Sequence, residues 1–125
     1  MIKLVNLGVA EMDHTHQEFV EILEQMQTLI GSEFQQGFIE LAEHTERHFS
    51  HELELMRESN FPALGEHKAD HERILGQLTQ FRSRVVQGRI QLAQAFVKEQ
   101  MPSWFETHLA TMDSALAAHL KAFKA

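Results

Sequence analysis

The sequence is distinctive first for what it lacks. It contains no cysteine, which excludes disulfides, iron–sulfur clusters, thiolate metal sites and a cysteine nucleophile. It contains no tyrosine, so no phenol can relay a proton or a radical. No apolar run approaches the roughly 20 residues of a membrane span, and residues 1–10 lack the features of a signal peptide. We therefore expect a cytoplasmic protein that has no membrane partner.

Proline, glycine and positive charge are also scarce. The 125 residues include two prolines and six glycines, and the glycines fall mostly between stretches in which apolar residues recur at spacings of three and four. This period predicts helices, and no stretch alternates as a strand would. The net charge of −7 argues against nucleic acid as a partner. The length suits one domain, over residues 1–125, with one core.

The apolar pattern predicts four amphipathic helices, over residues of about 11–30, 33–58, 63–87 and from 91 onward. A capping box of Ser32 and Gln35 is predicted to open the second helix. Pro102 is predicted to kink or restart the fourth. Ile30 and Phe123 are expected on the apolar faces of the first and last helices. Short connections between four such helices predict an all-α fold, an antiparallel up-down-up-down four-helix bundle.

Seven polar side chains break the apolar pattern at positions that should face the core. They are His16, His48, Glu52, His67, His71, His108 and Asp113. Burying ionised groups without compensation would cost several kcal/mol for each group. A small domain has a net stability of only roughly 5–15 kcal/mol. A pair of bound cations is the simplest compensation, because seven ligands are too many for one ion.

The spacing of these side chains favours a shared site. His67 and His71 lie four residues apart, as do His48 and Glu52, so each pair lies on one face of its helix. The only carboxylates of the set, Glu52 and Asp113, are assigned as bridges between two ions. Imidazole and carboxylate ligands without sulfur suit Fe, Mn or Zn.

The spacing between His108 and Asp113 is five residues, which is unusual for a shared site. In an ideal α-helix this spacing separates two side chains by about 140°. Either the helix is locally widened, as in a π-bulge, or the two side chains approach the site from opposite flanks.

Four motifs carry a resemblance to a known family. They read Met12-Asp13-His14-Thr15-His16, His48-Phe49-Ser50-His51-Glu52, His67-Lys68-Ala69-Asp70-His71 and Trp104-Phe105-Glu106-Thr107-His108, the last followed by Asp113. Met56 and Phe61-Pro62 match the stretch between the second and third motifs. In this order and at these spacings the motifs resemble those of the hemerythrin family, over nearly the whole chain. Any one HxxxH motif would be a weak signal, but all seven ligand positions occur in order.

The resemblance implies two non-haem iron ions joined by an oxo or hydroxo group and by Glu52 and Asp113. It implies that His67, His71 and His108 hold one iron. By the same resemblance, His16 and His48 hold the other iron, which keeps an open position for dioxygen. The aromatic walls of that position would be Phe19, Phe49, Trp104 and Phe105. The implied function is reversible dioxygen binding by a carrier, store or scavenger, without catalysis.

Other functions are open at this point. A di-iron enzyme that acts on peroxide or a small substrate is one alternative. Ferritin-like oxidases normally carry paired Glu-x-x-His motifs on two helices. Here only Glu11 to His14 fits that pattern, so that class of di-iron enzyme is disfavoured. Oxygen or redox sensing would need a separate partner, and a bundle could also hold zinc structurally. For a delivery role we expect an oxygen-using enzyme as the partner, and we expect a monomer. The remaining histidines, outside the ligand pattern, are His14, His44, His51 and His119.

Overall fold

The computed structural model of the chain describes residues 2–124 and contains four long helices that run up, down, up and down. α1 spans Ala10–Met26, α2 spans Gly31–Glu58 and α3 spans Leu64–Val85. The fourth helix, α4, covers residues 91–124 in five consecutive segments. They are α-helical Gln91–Ala95, π-helical Phe96–Gln100, α-helical Met101–His108, π-helical Leu109–Asp113 and α-helical Ser114–Lys124. Residues 2–124 contain no strand, and the predicted all-α bundle is confirmed.

The second π-helical turn of α4 lies directly between His108 and Asp113. A π-helix bonds each residue to the fifth residue along, so a spacing of five places two side chains on the same face. The segment Leu109–Asp113 has this geometry, and the helix continues on both sides of it. The π-bulge alternative is therefore the correct one, and both side chains face the bundle interior.

The first π-helical turn of α4 lies immediately before Pro102. A proline inside an α-helix cannot donate its hydrogen bond, and its ring clashes with the carbonyl four residues earlier. The π-helical segment Phe96–Gln100 widens the helix at that point, and Gln100 and Met101 keep helical backbone angles. Of the two predicted alternatives at Pro102, a kink or a restart, the restart is wrong, because the wider turn accommodates the proline within one continuous helix.

The connection from α1 to α2 differs from the prediction. α1 ends at Met26, and Ile30 lies outside it with 73% of its surface exposed, so its predicted core position is wrong. α2 begins at Gly31, whose φ of +57° suits glycine. The helix therefore starts before Ser32, and no side chain caps it. The predicted capping box is wrong, and Gln35 instead donates a hydrogen bond to the Val85 carbonyl at 2.7 Å.

Two apolar clusters lie at opposite ends of the bundle interior. One is built around Phe19, Leu23, Phe38, Leu41, Ile74, Leu78, Phe96 and Phe105. The other contains Val9, Met12, Met56, Phe61, Leu116, Ala117 and Leu120. Phe123 joins neither and is 55% exposed, so its predicted inner position is wrong; it lies in the last turn of α4, beyond the packed end of the bundle.

The segment before α1 packs against the bundle as an extended strap. Ile2 and Val9 are buried at its two ends. The backbone amides of Leu7 and Gly8 donate hydrogen bonds to the two oxygens of Asp13, at 2.7 and 3.1 Å. Asp13, one turn into α1, therefore fixes the path of the chain into the helix.

Within the described range, none of the helices has the length and apolarity that crossing a membrane requires.

Candidate metal centre

The seven predicted site residues meet in the bundle interior, between the two apolar clusters. α1 contributes His16, α2 His48 and Glu52, α3 His67 and His71, and α4 His108 and Asp113. All seven are at most 6% exposed. Every imidazole points its Nε2 atom at the site, and the ligand atoms fall into two groups that share Glu52.

One half of the site contains three histidines. The Nε2 atoms of His71 and His108 lie 3.0 Å apart. Glu52 Oε1 lies 3.2 Å from His67 Nε2 and 3.4 Å from His71 Nε2. Asp113 Oδ1 lies 3.1 Å from the Nε2 atoms of both His67 and His108. This half therefore offers three nitrogens and two oxygens.

The other half contains two histidines. Glu52 Oε2 lies 2.6 Å from His48 Nε2 and 3.5 Å from His16 Nε2. Asp113 Oδ2 lies 3.1 Å from His16 Nε2. This half therefore offers two nitrogens and two oxygens, one ligand fewer than its neighbour.

The two carboxylates divide their oxygens between the two halves, which is the arrangement that bridges a pair of cations. Buried atoms point the same way: His16 Nε2 and both Asp113 oxygens form no hydrogen bond within residues 2–124, despite contacts of 3.1 Å. Buried polar atoms are rarely left unbonded in a native fold. Nitrogen and oxygen donors without sulfur suit iron, manganese or zinc. The residues present thus fit a metal pair.

Proton affinities at the site reflect its concentrated negative charge. Burial alone would lower the pKa of His16 and His67, but the adjacent carboxylates of Asp113 and Glu52 outweigh it and raise each pKa to about 9. Burial would raise the pKa of Glu52, but the surrounding histidines, His48 foremost, hold it well below the ordinary value. The imidazoles of His16 and His67 would therefore be protonated at neutral pH unless a cation took the place of the proton.

The pKa of His71 is shifted in the opposite direction. Burial, only partly offset by the charge of Glu52, lowers the pKa of His71 to about 3. Its imidazole is therefore neutral at neutral pH, which is the form that a metal ligand needs.

Aromatic rings enclose the two-histidine half. Phe105 contacts His16 edge-on with ring centres 5.7 Å apart, and Phe19 lies 6.5 Å from His48. Phe19 and Phe105 also contact each other at 4.8 Å. These are two of the four predicted wall residues, and the structure places both beside the imidazoles of this half.

Of the other two predicted wall residues, Phe49 contacts both halves of the site and Trp104 contacts only the three-histidine half. Phe49 stacks on His71 at 3.7 Å with its plane parallel, and it also lies 5.4 Å from His48, so it touches both halves. Trp104 stacks on His108 at 4.7 Å and contacts Phe49. Trp104 thus packs on the three-histidine half.

Sequence reasoning missed two residues at the site. His44 is buried one turn before His48 and stacks on Phe19 at 6.4 Å, and burial lowers its pKa. Asp70 lies directly before His71 and accepts a hydrogen bond from His108 Nδ1 at 2.8 Å. Asp70 is part of the third motif, but the motif alone does not show that its side chain contacts α4.

The remaining histidines lie away from the ligand atoms. His14 is exposed beside Glu18, and His51 is half-exposed at 3.1 Å from Glu11. His119 contacts the Ser59 carbonyl at 2.7 Å and so ties α4 to the end of α2. None of these three belongs to the metal-ligating groups found among residues 2–124.

Comparison with known proteins gives one consistent result. The family model described as the hemerythrin HHE cation binding domain matches residues 7–120. A bacteriohemerythrin of Aquifex aeolicus is 30% identical over an alignment that covers 94% of each chain. A bacteriohemerythrin of Ralstonia nicotianae is 29% identical over 116 residues, or 93% of this chain and 84% of that one. The crystal structure of a wild-type hemerythrin superimposes with a TM-score of 0.83 at 19% identity, covering 90% of this chain and 88% of that chain.

Proposed function

Since the chain belongs to the hemerythrin family and has a buried cluster of side chains that could hold metal, we propose that it binds dioxygen reversibly at a pair of non-haem iron ions. One observation carries the proposal: the two carboxylates divide their oxygens between a three-histidine half and a two-histidine half. A pair of ions held in this way would be chemically unequal. Such inequality is what a site needs if one ion is to be enclosed and the other is to accept a ligand.

Each half has its own role in this proposal. His67, His71 and His108, with one oxygen from each carboxylate, surround the enclosed ion. His16 and His48, again with one oxygen from each carboxylate, hold the second ion with one donor fewer. An oxo or hydroxo group from solvent would complete the bridge. The iron pair would supply the two electrons that dioxygen accepts and returns.

The protein's own contribution is to keep water and protons away from the two-histidine half. Phe19 and Phe105 cover it, and both are at most 2% exposed. Excluding water from such a site suppresses side reactions of a bound ligand. The chain has no tyrosine that could donate a proton or an electron. These features favour binding and release over turnover, so we propose a carrier, store or scavenger rather than an enzyme.

The cellular setting belongs to the same proposal. We propose a cytoplasmic monomer, consisting of one domain over residues 1–125, that does not engage nucleic acid or membranes. Dioxygen is its ligand, and an oxygen-using enzyme is the partner to which it could deliver.

The test is iron content and a visible spectrum. The protein is loaded with iron, reduced without air and then exposed to dioxygen. We expect two irons per chain and a visible charge-transfer band that appears with dioxygen and disappears when the gas is removed. Two irons without a persistent band, together with steady consumption of peroxide, would replace the binding function by an enzymatic one. Zinc in place of iron, after growth without added zinc, would indicate a structural site.

A matched pair of variants locates the oxygen position. His48→Ala removes a nitrogen from the two-histidine half and should abolish the oxygen-dependent band while the helical circular-dichroism signal persists. His51→Ala changes a half-exposed histidine on the same helix and should leave the band unchanged. A full band in His48→Ala would contradict the assignment of the open position.

A further inference from the structure

His108 differs from three of the other predicted ligand histidines in what contacts its Nδ1 atom. The Nδ1 atoms of His16, His48 and His67 are buried and form no hydrogen bond within the described part of the chain. His108 Nδ1 instead lies 2.8 Å from Asp70 Oδ2. A ligand ring without such a partner is positioned by packing alone, whereas His108 is also positioned by a charged acceptor.

Asp70 is itself firmly held. Its Oδ2 atom also accepts a hydrogen bond from Trp104 Nε1 at 3.0 Å, and its Oδ1 atom accepts one from Arg73 at 3.0 Å. The side chain of Asp70 is 18% exposed and that of Arg73 is 56% exposed, so this group of contacts runs from the protein surface to the site. Asp70 joins α3 to α4 by way of two side chains of α4.

We infer that Asp70 is a positioning residue of the metal centre, which fixes the ring of His108 so that its Nε2 atom faces the enclosed ion. A carboxylate that accepts a hydrogen bond from the Nδ1–H group keeps the proton on Nδ1 and leaves the Nε2 lone pair free. It therefore selects the tautomer that binds metal through Nε2. Its negative charge also makes the imidazole a stronger electron donor to a metal ion. The inference rests on the metal site of the proposed function, but not on dioxygen binding.

The contact with Trp104 extends this role. The indole stacks on the His108 ring at 4.7 Å with an interplanar angle of 21°. Asp70 Oδ2 accepts hydrogen bonds from both His108 and Trp104, so this one atom fixes the two stacked rings relative to each other. Loss of the carboxylate therefore frees a metal ligand and its covering ring together.

Cobalt(II) is a suitable probe, since its absorption reports coordination and its binding does not depend on dioxygen. Partners of this kind typically contribute about 10–100-fold to metal affinity. We expect Asp70→Ala to weaken one of the two bound ions by about that factor in competition with a chelator. Asp70→Asn keeps a neutral acceptor and should fall between Asp70→Ala and the unmodified protein. Glu72→Gln, an exposed neighbour on α3, should bind both ions normally.

A second measurement separates positioning from general stability. In nitrogen-15 spectra of the protein loaded with zinc, His108 should show an Nδ1 proton that is protected from exchange in the unmodified chain and lost in Asp70→Ala. Unchanged cobalt affinity in Asp70→Ala would overturn the inference, as would lower thermal stability without any change in affinity. Failure of the unmodified protein to bind cobalt would instead overturn the metal site itself.

Discussion

Replacing Glu52 by alanine tests the bridging geometry most directly. One oxygen of Glu52 faces His67 and His71, and the other faces His16 and His48. The substitution therefore removes one ligand from each ion, whereas loss of a histidine removes one ligand from one ion.

The magnitude follows from the number of ligands lost. Four ligands bind a structural zinc ion with about 10–16 kcal/mol in total, so each ligand contributes about 2.5–4 kcal/mol. Glu52→Ala should then weaken both ions, each by about 10²–10³-fold. His48→Ala should weaken one ion by a similar factor and leave the other in place.

The assay is metal content after dialysis against a chelator of graded concentration, with circular dichroism to verify that each variant is helical. Two ions should leave Glu52→Ala together at low chelator concentration, and a single ion should leave His48→Ala. Glu54→Ala, an exposed change on the same helix, is the control and should keep both ions. If Glu52→Ala kept one ion at full affinity, the carboxylate would not be a bridge.

Three further predictions follow from proton affinity, anchoring and backbone geometry. The raised pKa values of His16 and His67 stabilise the metal-free fold fully below pH 6.5, and this stabilisation is lost as the pH rises through 9. Chelator-treated protein should therefore have a lower melting temperature at pH 10 than at pH 7. An equal melting temperature at the two pH values would contradict this. Asp13→Ala loses two hydrogen bonds and should cost about 1–3 kcal/mol in urea unfolding, and no cost would contradict its anchoring role. Gly88→Ala, at a φ of +86° with open space around it, should cost about 1–2 kcal/mol by the same assay, and a neutral result would show that the turn relaxes.

Helical periodicity was sufficient to predict the bundle, because the apolar face of each helix repeats regularly. The same periodicity exposed the seven polar exceptions, and the structure brings all seven together; their role as metal ligands stays a prediction. The π-helical turn at Leu109–Asp113 could be stated only as one of two alternatives. Side-chain direction over five residues depends on backbone hydrogen bonding, and residue types alone do not determine that.

Local signals were less reliable at the ends of helices. Ser32 and Gln35 have the right spacing for a cap, yet the glycine before them starts α2 earlier and Gln35 bonds to α3 instead. Pro102 alone predicts a kink or a restart, because the sequence does not show the adjacent π-helical turn that accommodates it. Asp70 was missed for a related reason, since its two partners in α4 lie more than 30 residues away in the sequence. Contacts across the bundle decide these cases.

Because the ligand set draws on every helix, a bound metal pair would also act as a crosslink. His16 near the start of the chain and Asp113 near its end would be joined through the ions. They lie about 100 residues apart, a separation at which a disulfide stabilises a fold by roughly 4–5 kcal/mol in the chain-entropy model. In a chain without cysteine, the metal pair would thus link the first helix to the last. The cofactor would then also contribute to the free energy of unfolding of the fold.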